Sequence, residues 1–390
     1  MITTLEASID AAVAARARLR DRPIRATATA LADAARRWRD DPELVARLPE
    51  IARLTAPMVR ATLPLVAEAL DADALCELHA REARSSGGPR LVVAIVASNV
   101  PGLALPAIAQ ACLARAAIVI KSGRADTLSA PAFHRALAAV DPDLAATIVP
   151  AYWPGGDAEV ESRVLPRADV VVAMGSDVTV ETLRRWHGAR LLADGTRSSF
   201  AVVRADADDE EIHALAWDVV RYEQRGCLSP QATFVLGDTD AVSTRLGTAL
   251  DAIARDVPAP TSSLEERAAH RLALEAARFE GATVRESSGG TVLVDPQIRY
   301  VDGPGRRTVR VHGLDDARAV ATVFAPATIE CVGIGHGVEL DVDTLRRRGV
   351  ARLCPVGRMQ RPRIDWPRGQ RPPLASLFHD EDEPHIQVES

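Results

Sequence analysis

The sequence predicts an α/β protein: a doubly wound parallel sheet followed by a second α/β unit. Three observations predict it. Short, wholly apolar runs such as residues 91–97 (LVVAIVA) read as strands buried on both faces, as in parallel sheets. These runs alternate with stretches of helical periodicity, the βαβ pattern. They end on small or polar residues, Ser98-Asn99, Lys121 to Arg124 and Gly175-Ser176, and ligands of such sheets sit at the carboxyl ends of the strands.

Taken in order, residues 1–85 read as helices. Leu5, Ile9 and Val13 share one stripe, and Pro23, Pro42 and Pro49 punctuate the later segments. This part carries no chemical motif and is expected to pack against the domain that follows. After the first strand comes a helix over 103–115, with Pro106 near its start, where proline is tolerated. A second strand, 116–120, ends at Lys121. Beyond the loop 122–127 lie another helix and a strand near 146–149. A fourth strand, 169–174, meets Gly175-Ser176, and a helix begins near Asp177. Strands at 190–192 and 200–203 are expected to close the series.

The second half opens on an amphipathic helix. Ile212, Leu215, Ala216, Val219 and Val220 stand at i, i+3, i+4, i+7 and i+8, and the pattern stops at Gly226. Cys227 then occupies a tight connection before a strand over 232–236. From 237 to about 350, helices and strands alternate less regularly. The tail from 369 to 390 is polar and acidic, and its end is expected to be poorly ordered.

Bulk properties exclude several classes. The formal charge is −6, and the 47 Lys plus Arg are scattered among 53 Asp plus Glu, so no nucleic-acid surface is expected. No cleavable leader is visible, and no run approaches the ~20 apolar residues that span a bilayer. The five cysteines, Cys76, Cys112, Cys227, Cys331 and Cys354, are widely spaced and form no CxxC pair. That fits neither a disulfide framework nor a zinc site. The nine histidines are dispersed. The expectation is a cytoplasmic protein with reduced thiols, no membrane contact and no metal.

The residues that carry chemistry cluster in four segments. In Tyr222-Glu223-Gln224-Arg225-Gly226-Cys227-Leu228-Ser229-Pro230-Gln231, the glycine lets backbone approach a ligand closely. The Cys227 N–H then becomes available as an oxyanion donor. In Ala97-Ser98-Asn99-Val100-Pro101-Gly102, an asparagine at a strand end presents its amide to the crevice. An amide N–H and a thiol together make an acyl-transfer site. Lys121-Ser122-Gly123-Arg124 and Gly175-Ser176 are loops able to hold ribose and phosphates, although no GxGxxG fingerprint is present.

In this order, Asn-x-Pro after a strand, Lys after the next, Gly-Ser before a helix and Gln-x-Gly-Cys later, the chain resembles the aldehyde dehydrogenase superfamily. Two segments point to its acyl-CoA reductase branch, the LuxC-type fatty-acyl reductases. One is Glu223 to Gln231. The other is Cys354-Pro355-Val356-Gly357-Arg358-Met359-Gln360, followed by Pro362, Asp365-Trp366 and Pro372-Pro373-Leu374. The resemblance runs from about Leu91 to Phe378.

That resemblance implies an aldehyde-dehydrogenase-like fold in three stretches. Residues 1–205 would be amino-terminal helices and a Rossmann-like cofactor domain, 206–352 a catalytic domain, and 353–390 a segment returning to the cofactor domain. Cys227 would form the thioester and Asn99 would donate to its oxyanion. Lys121 would contact the adenosine ribose, and Gly175-Ser176 would lie against the pyrophosphate, with Ser98 beside the cofactor. Hydrolytic relatives carry Glu-Leu-Gly-Gly-Lys, whose Glu activates water. The matching stretch here is Leu192-Ala193-Asp194-Gly195-Thr196, so Leu192 replaces that base. The Glu-x-Phe-Gly-Pro ribose clamp is not recognisable either. NAD-preferring relatives place an acid where this chain has Arg124, and a cation there suits a 2′-phosphate.

The expected function is therefore NADPH-dependent reduction of an acyl thioester, on coenzyme A or a carrier protein, to an aldehyde by a homo-oligomer; NADH is the second choice. The rivals are an aldehyde-oxidising dehydrogenase, which would need the missing base, and a silent relative acting as a binding protein.

Overall fold

The structure is a computed structural model that describes residues 2–84, 87–184, 190–378 and 387–389. They fall into two compact units. Residues 2–196 form the first, joined by 363–366 and 371–378, and residues 197–362 form the second, joined by 367–370 and 387–389.

The first unit is built on five strands: β1 (Leu91–Ile95), β2 (Ala117–Lys121), β3 (Ile148–Ala151), β4 (Val170–Met174) and β5 (Arg190–Asp194). All pair in parallel in the order β3-β2-β1-β4-β5. The chain winds outward from β1 in one direction and resumes on its other side. The topological switch therefore lies between β1 and β4, and the carboxyl ends of these strands are where doubly wound sheets bind their ligands. Every residue of β1 and β2 is buried, as their apolar runs demand. The amino-terminal helix Ile2–Ala15 lays Ile9 and Ala12 into the same core as Val93, Val119 and Trp153. Leu5 and Val13 pack beside them, so the predicted stripe is the buried face. Pro42 starts the helix Pro42–Ala52 behind an Asp41 cap that accepts the Leu44 N–H, a position that needs no amide proton from proline.

The second unit holds eight strands: β6 (Ser198–Arg204), β7 (Pro230–Leu236), β8 (Thr283–Glu286), β9 (Thr291–Val294), β10 (Thr308–Leu314), β11 (Ile329–Ile334), β12 (Arg352–Pro355) and β13 (Gln387–Val388). Their order is β13-β12-β11-β6-β7-β10-β9-β8, and only the β8–β9 hairpin is antiparallel. One face buries Phe200, Phe234 and Phe324. Phe200 and Phe234 meet edge to face at 5.2 Å and 86°.

Four expectations meet a different arrangement. Residues 200–203 do not close the first sheet. They lie in β6, between β7 and β11 of the second, because an apolar run declares burial without saying which sheet receives it. The division between units accordingly falls at 196/197 and not at 205/206. The stretch after 352 is shared out: β12 extends the second sheet beside β11, whereas Leu374 and Ala375 belong to the first unit. There Glu82 accepts both their N–H groups, at 2.9 and 3.2 Å. The helix before Cys227 ends at Val220, well short of Gly226. As for the tail, residues 379–386 and 390 lie outside the described residues, and Gln387–Val388 pairs with β12. Among the described residues no helix is long and apolar enough to cross a membrane.

Candidate active site

In the first unit, the expected cofactor-contacting residues gather at the carboxyl ends of β1, β2 and β4. Ser98 and Asn99 follow β1, and their loop touches the one after β2. A Cβ on Gly123 would lie 2.6 Å from Ser98 Cβ, so glycine is what lets the two loops meet. The Val96 N–H donates to the Lys121 carbonyl at 3.1 Å. Lys121 is buried, and desolvation lowers its ammonium pKa against the opposing pull of Glu161. The Asn99 turn is braced from behind by Asp126, which accepts the N–H of Gly102 at 2.9 Å and that of Ser129 at 3.1 Å. Burial raises the Asp126 carboxyl, and these N–H groups oppose the rise. Gly102 has φ of 82°, and a Cβ there would come within 2.8 Å of Val66 and 2.9 Å of Trp38.

Arg124 is exposed and takes part in none of the ion pairs among the described residues. After β4, the Gly175 N–H donates to the Asp194 carbonyl at 3.3 Å. The Ser176 hydroxyl caps the helix Asp177–Leu183 by accepting the Thr179 N–H at 3.3 Å. Leu192 lies in β5 opposite Val172.

Cys227 belongs to the second unit, and its turn is shaped by an uncommon backbone. Tyr222, Glu223 and Gln224 have φ of 56°, 57° and 61°. Three successive non-glycine residues are left-handed, at roughly 1–2 kcal/mol each. Side chains from the start of β10 hold them there. Arg307 grips Glu223 with two donors, Nε at 2.9 Å and Nη2 at 2.6 Å, and its Nη1 donates to the Val257 carbonyl at 2.9 Å. The two side chains are 1% and 8% exposed. The Gln224 amide pairs with Thr308 as a neighbouring strand would: Oε1 accepts the N–H and Nε2 donates to the carbonyl, both at 2.7 Å. Nε2 also reaches the Pro230 carbonyl at 2.9 Å. Arg306 and Arg307 are themselves left-handed, with φ of 59° and 58°. Two unusual turns are stitched to each other.

Beyond Gly226 the chain closes on itself, the Ser229 N–H donating to the Gly226 carbonyl at 3.0 Å. The Ser199 hydroxyl donates to the Cys227 carbonyl at 2.6 Å and accepts the Cys331 N–H at 3.1 Å. A β-bulge makes this double role possible, since the β6–β7 and β11–β6 registers both shift at this point. Nearby, the Tyr300 hydroxyl is bonded to Ser198 and, at 3.2 Å, to Asp302.

The thiols differ in setting. Cys112, Cys331 and Cys354 are buried, while Cys227 and Cys76 are partly accessible. Burial pushes the Cys112 thiol up to about 12 and raises that of Cys331 as well. A thiol with a raised pKa holds little thiolate, the reactive form. Cys76 sits within the helix Ala72–Glu82, leaving Cys227 as the accessible thiol in a shaped turn.

Sequence reasoning gave no role to Glu223, Gln224, Arg307, Ser199 or Asp126. The first two stand inside the motif that singled out Cys227, so their type was visible. Arg307 follows Gly303 and Gly305 in a stretch without periodicity, and nothing there announces a partner for Glu223. Replacing Glu223 by Gln leaves the Arg307 guanidinium buried without its counter-charge, at a cost of about 3–5 kcal/mol. Urea unfolding checks this. Glu223→Leu combined with Arg307→Met is expected to cost less than either change alone. A Glu223→Gln loss under about 1 kcal/mol contradicts the assignment.

With this geometry in view, comparison with known proteins identifies the relatives. The family model of the acyl-CoA reductases (LuxC) matches residues 20–368. The long-chain acyl-protein thioester reductase of Aliivibrio fischeri is 27% identical over 277 residues, which are 68% of this chain and 58% of the relative. Long-chain acyl-protein thioester reductase 2 of Photobacterium leiognathi is 26% identical over 251 residues, 62% of this chain and 52% of the relative. The chain thus spans little more than half the length of the curated relatives it matches. Among solved structures, aldehyde dehydrogenase 21 from Physcomitrella patens, in complex with succinate, matches with a TM-score of 0.75. The match covers 97% of this chain and 88% of that one at 15% identity. Lactaldehyde dehydrogenase from Escherichia coli matches with a TM-score of 0.68, covering 89% and 81% at 18% identity. The fold is that of the aldehyde dehydrogenases, and by the match over residues 20–368 the chain belongs to the acyl-CoA reductase (LuxC) family.

Proposed function

We propose that the protein reduces an acyl thioester to an aldehyde through an acyl-enzyme on Cys227, with NADPH as the cofactor. The observation that carries this reading is the Cys227 turn. Its thiol is partly accessible, and its backbone is fixed on both sides by buried hydrogen bonds. The relatives named above are reductases of acyl-protein thioesters, which supports a thioester as substrate, carried by coenzyme A or by a protein.

In the proposed sequence, the Cys227 thiolate attacks the thioester carbonyl, and a new carbon–sulfur bond forms as the carrier thiol leaves with a proton. The developing oxyanion accepts hydrogen bonds from the Cys227 N–H and from the Asn99 amide. A reduced nicotinamide, when bound, supplies the hydride for the acyl group. Collapse of the thiohemiacetal restores the Cys227 thiolate and frees the aldehyde. Because Leu192 offers no base to activate water, thiol chemistry is favoured over hydrolysis and over aldehyde oxidation.

The first unit's loops suit such a cofactor. Ser98 and Gly123 meet closely enough to admit backbone contact, Lys121 stands at the end of β2 for the ribose, and Gly175-Ser176 open a helix for the pyrophosphate. Arg124, exposed and outside the ion pairs described, is placed in this reading against a 2′-phosphate; NADH would use the same loops without it. Five free cysteines suit the reducing cytoplasm, and a homo-oligomer is the assembly we infer.

Cys227→Ala is expected to abolish the acyl mass adduct formed on incubation with an acyl-CoA, and an adduct that persists on another cysteine contradicts the nucleophile. Arg124→Glu is expected to shift preference from NADPH toward NADH. A guanidinium meets a phosphate with paired hydrogen bonds, whereas a carboxylate repels it and accepts from a free 2′-hydroxyl. The check is the ratio of kcat/KM for the two cofactors in both proteins. A ratio that stays within about twofold removes Arg124 from phosphate recognition.

A further inference from the structure

The segment Cys354 to Gln360 has no part in the proposed chemistry, yet it is anchored along its length. Arg352, fully buried, gathers the loop's carbonyls: Nη1 donates to Met359 at 2.7 Å and Nη2 to Arg358 at 2.9 Å. Its charge is met by Glu389 at 2.9 and 3.0 Å. From the other side, Asp218 gathers the loop's N–H groups, accepting from Gly357 at 2.5 Å and also from Met359 and Gln360. Burial raises the Asp218 carboxyl to about 6, against the pull of Arg221 and of these N–H groups. Two glycines let the loop press this close. Gly357 has φ of 87°, and a Cβ there would lie 2.8 Å from Ala214; a Cβ on Gly333 would lie 2.6 Å from Met359 Sδ.

The outcome is a single buried side chain aimed at the nucleophile's turn. Gln360 is 5% exposed, and its Nε2 donates to the Ser229 hydroxyl at 2.7 Å and to the Asp218 carbonyl at 3.4 Å. Ser229 is the residue whose N–H closes the Cys227 turn on Gly226. The turn is thus held at its entry by Gln224 and at its exit by Gln360.

We propose that Gln360 is a positioning residue for Cys227, acting through Ser229 to hold the Cys227 N–H toward the oxyanion. This rests on reading Cys227 as the acyl-accepting nucleophile. The 354–360 loop, with Arg352 and Asp218, is then the mount that keeps Gln360 in place.

The test uses full-length protein and two reagents, with modification of Cys227 followed by peptide mass mapping. Acyl transfer from p-nitrophenyl acetate develops an oxyanion, and alkylation by iodoacetamide does not. Gln360→Ala is expected to slow acyl transfer about 10- to 100-fold, the scale of a misplaced reacting group, while alkylation stays within about threefold. Because the effect runs through Ser229, Gln360→Ala with Ser229→Ala should be no slower than the slower single variant. Unchanged acyl transfer, equal slowing of both reactions, or effects that multiply would each overturn the proposal. So would a wild-type Cys227 that takes no acetyl group from the ester. A wild-type protein that accepts acetyl from the ester but forms no adduct with an acyl-CoA sinks the thioester-reductase reading instead, and leaves the positioning role standing.

Discussion

The buried ion pair between Glu223 and Arg307 is the interaction on which the surroundings of Cys227 depend. Together with the pairing of Gln224 to Thr308, it holds three left-handed residues just after the helix Asp209–Val220, where Arg221 to Gln224 contain no glycine or proline to stop that helix. A helix continued to Gly226 would leave no separate turn for the thiol. The pair is almost wholly withdrawn from water, where its two parallel hydrogen bonds are strong and removal of one partner is expensive. Such a pair serves position more than net stability. It specifies one backbone path where the local chain prefers another.

Around that pair, the second sheet supplies fixed anchor points at the amino ends of its strands. Thr308 at the start of β10 takes Gln224, Pro230 at the start of β7 adds a carbonyl, and Ser199 near the start of β6 holds the Cys227 carbonyl. Strand ends in a paired sheet move little, so side chains tied to them inherit that rigidity. The first unit solves a different problem with different means. There the glycines at 102 and 123 and the buried Asp126 bring the loops after β1 and β2 together at the carboxyl edge of the sheet.

Much of this was legible in the sequence, for identifiable reasons. The apolar runs at 91–97 and 116–120, alternating with helical stretches, read as buried parallel strands, and the loops after them had to lie together at the carboxyl edge of the sheet. Gly226-Cys227 ahead of an apolar strand marked a turn, and the thiol in it. What could not be read were the long-range pairings. Glu223 and Arg307 are far apart in sequence, and neither lies on a periodic pattern that would bring them together. Nor does the apolar run at 200–203 disclose that its partners lie at 230–236 and 329–334. The helix end was misread at Gly226 because propensity favours continuation and tertiary contacts override it.

The proposed function requires that the Cys227 turn be preformed for acyl transfer and need no rearrangement to receive the substrate. A crystal structure of the protein acylated by a medium-chain thioester tests it most directly. Continuous density from Cys227 Sγ to the acyl group is expected, with Tyr222, Glu223 and Gln224 still left-handed. The acyl oxygen should lie about 2.7–3.1 Å from the Cys227 nitrogen. A turn rebuilt into helix, or an acyl group whose oxygen points away from that N–H, would contradict the account.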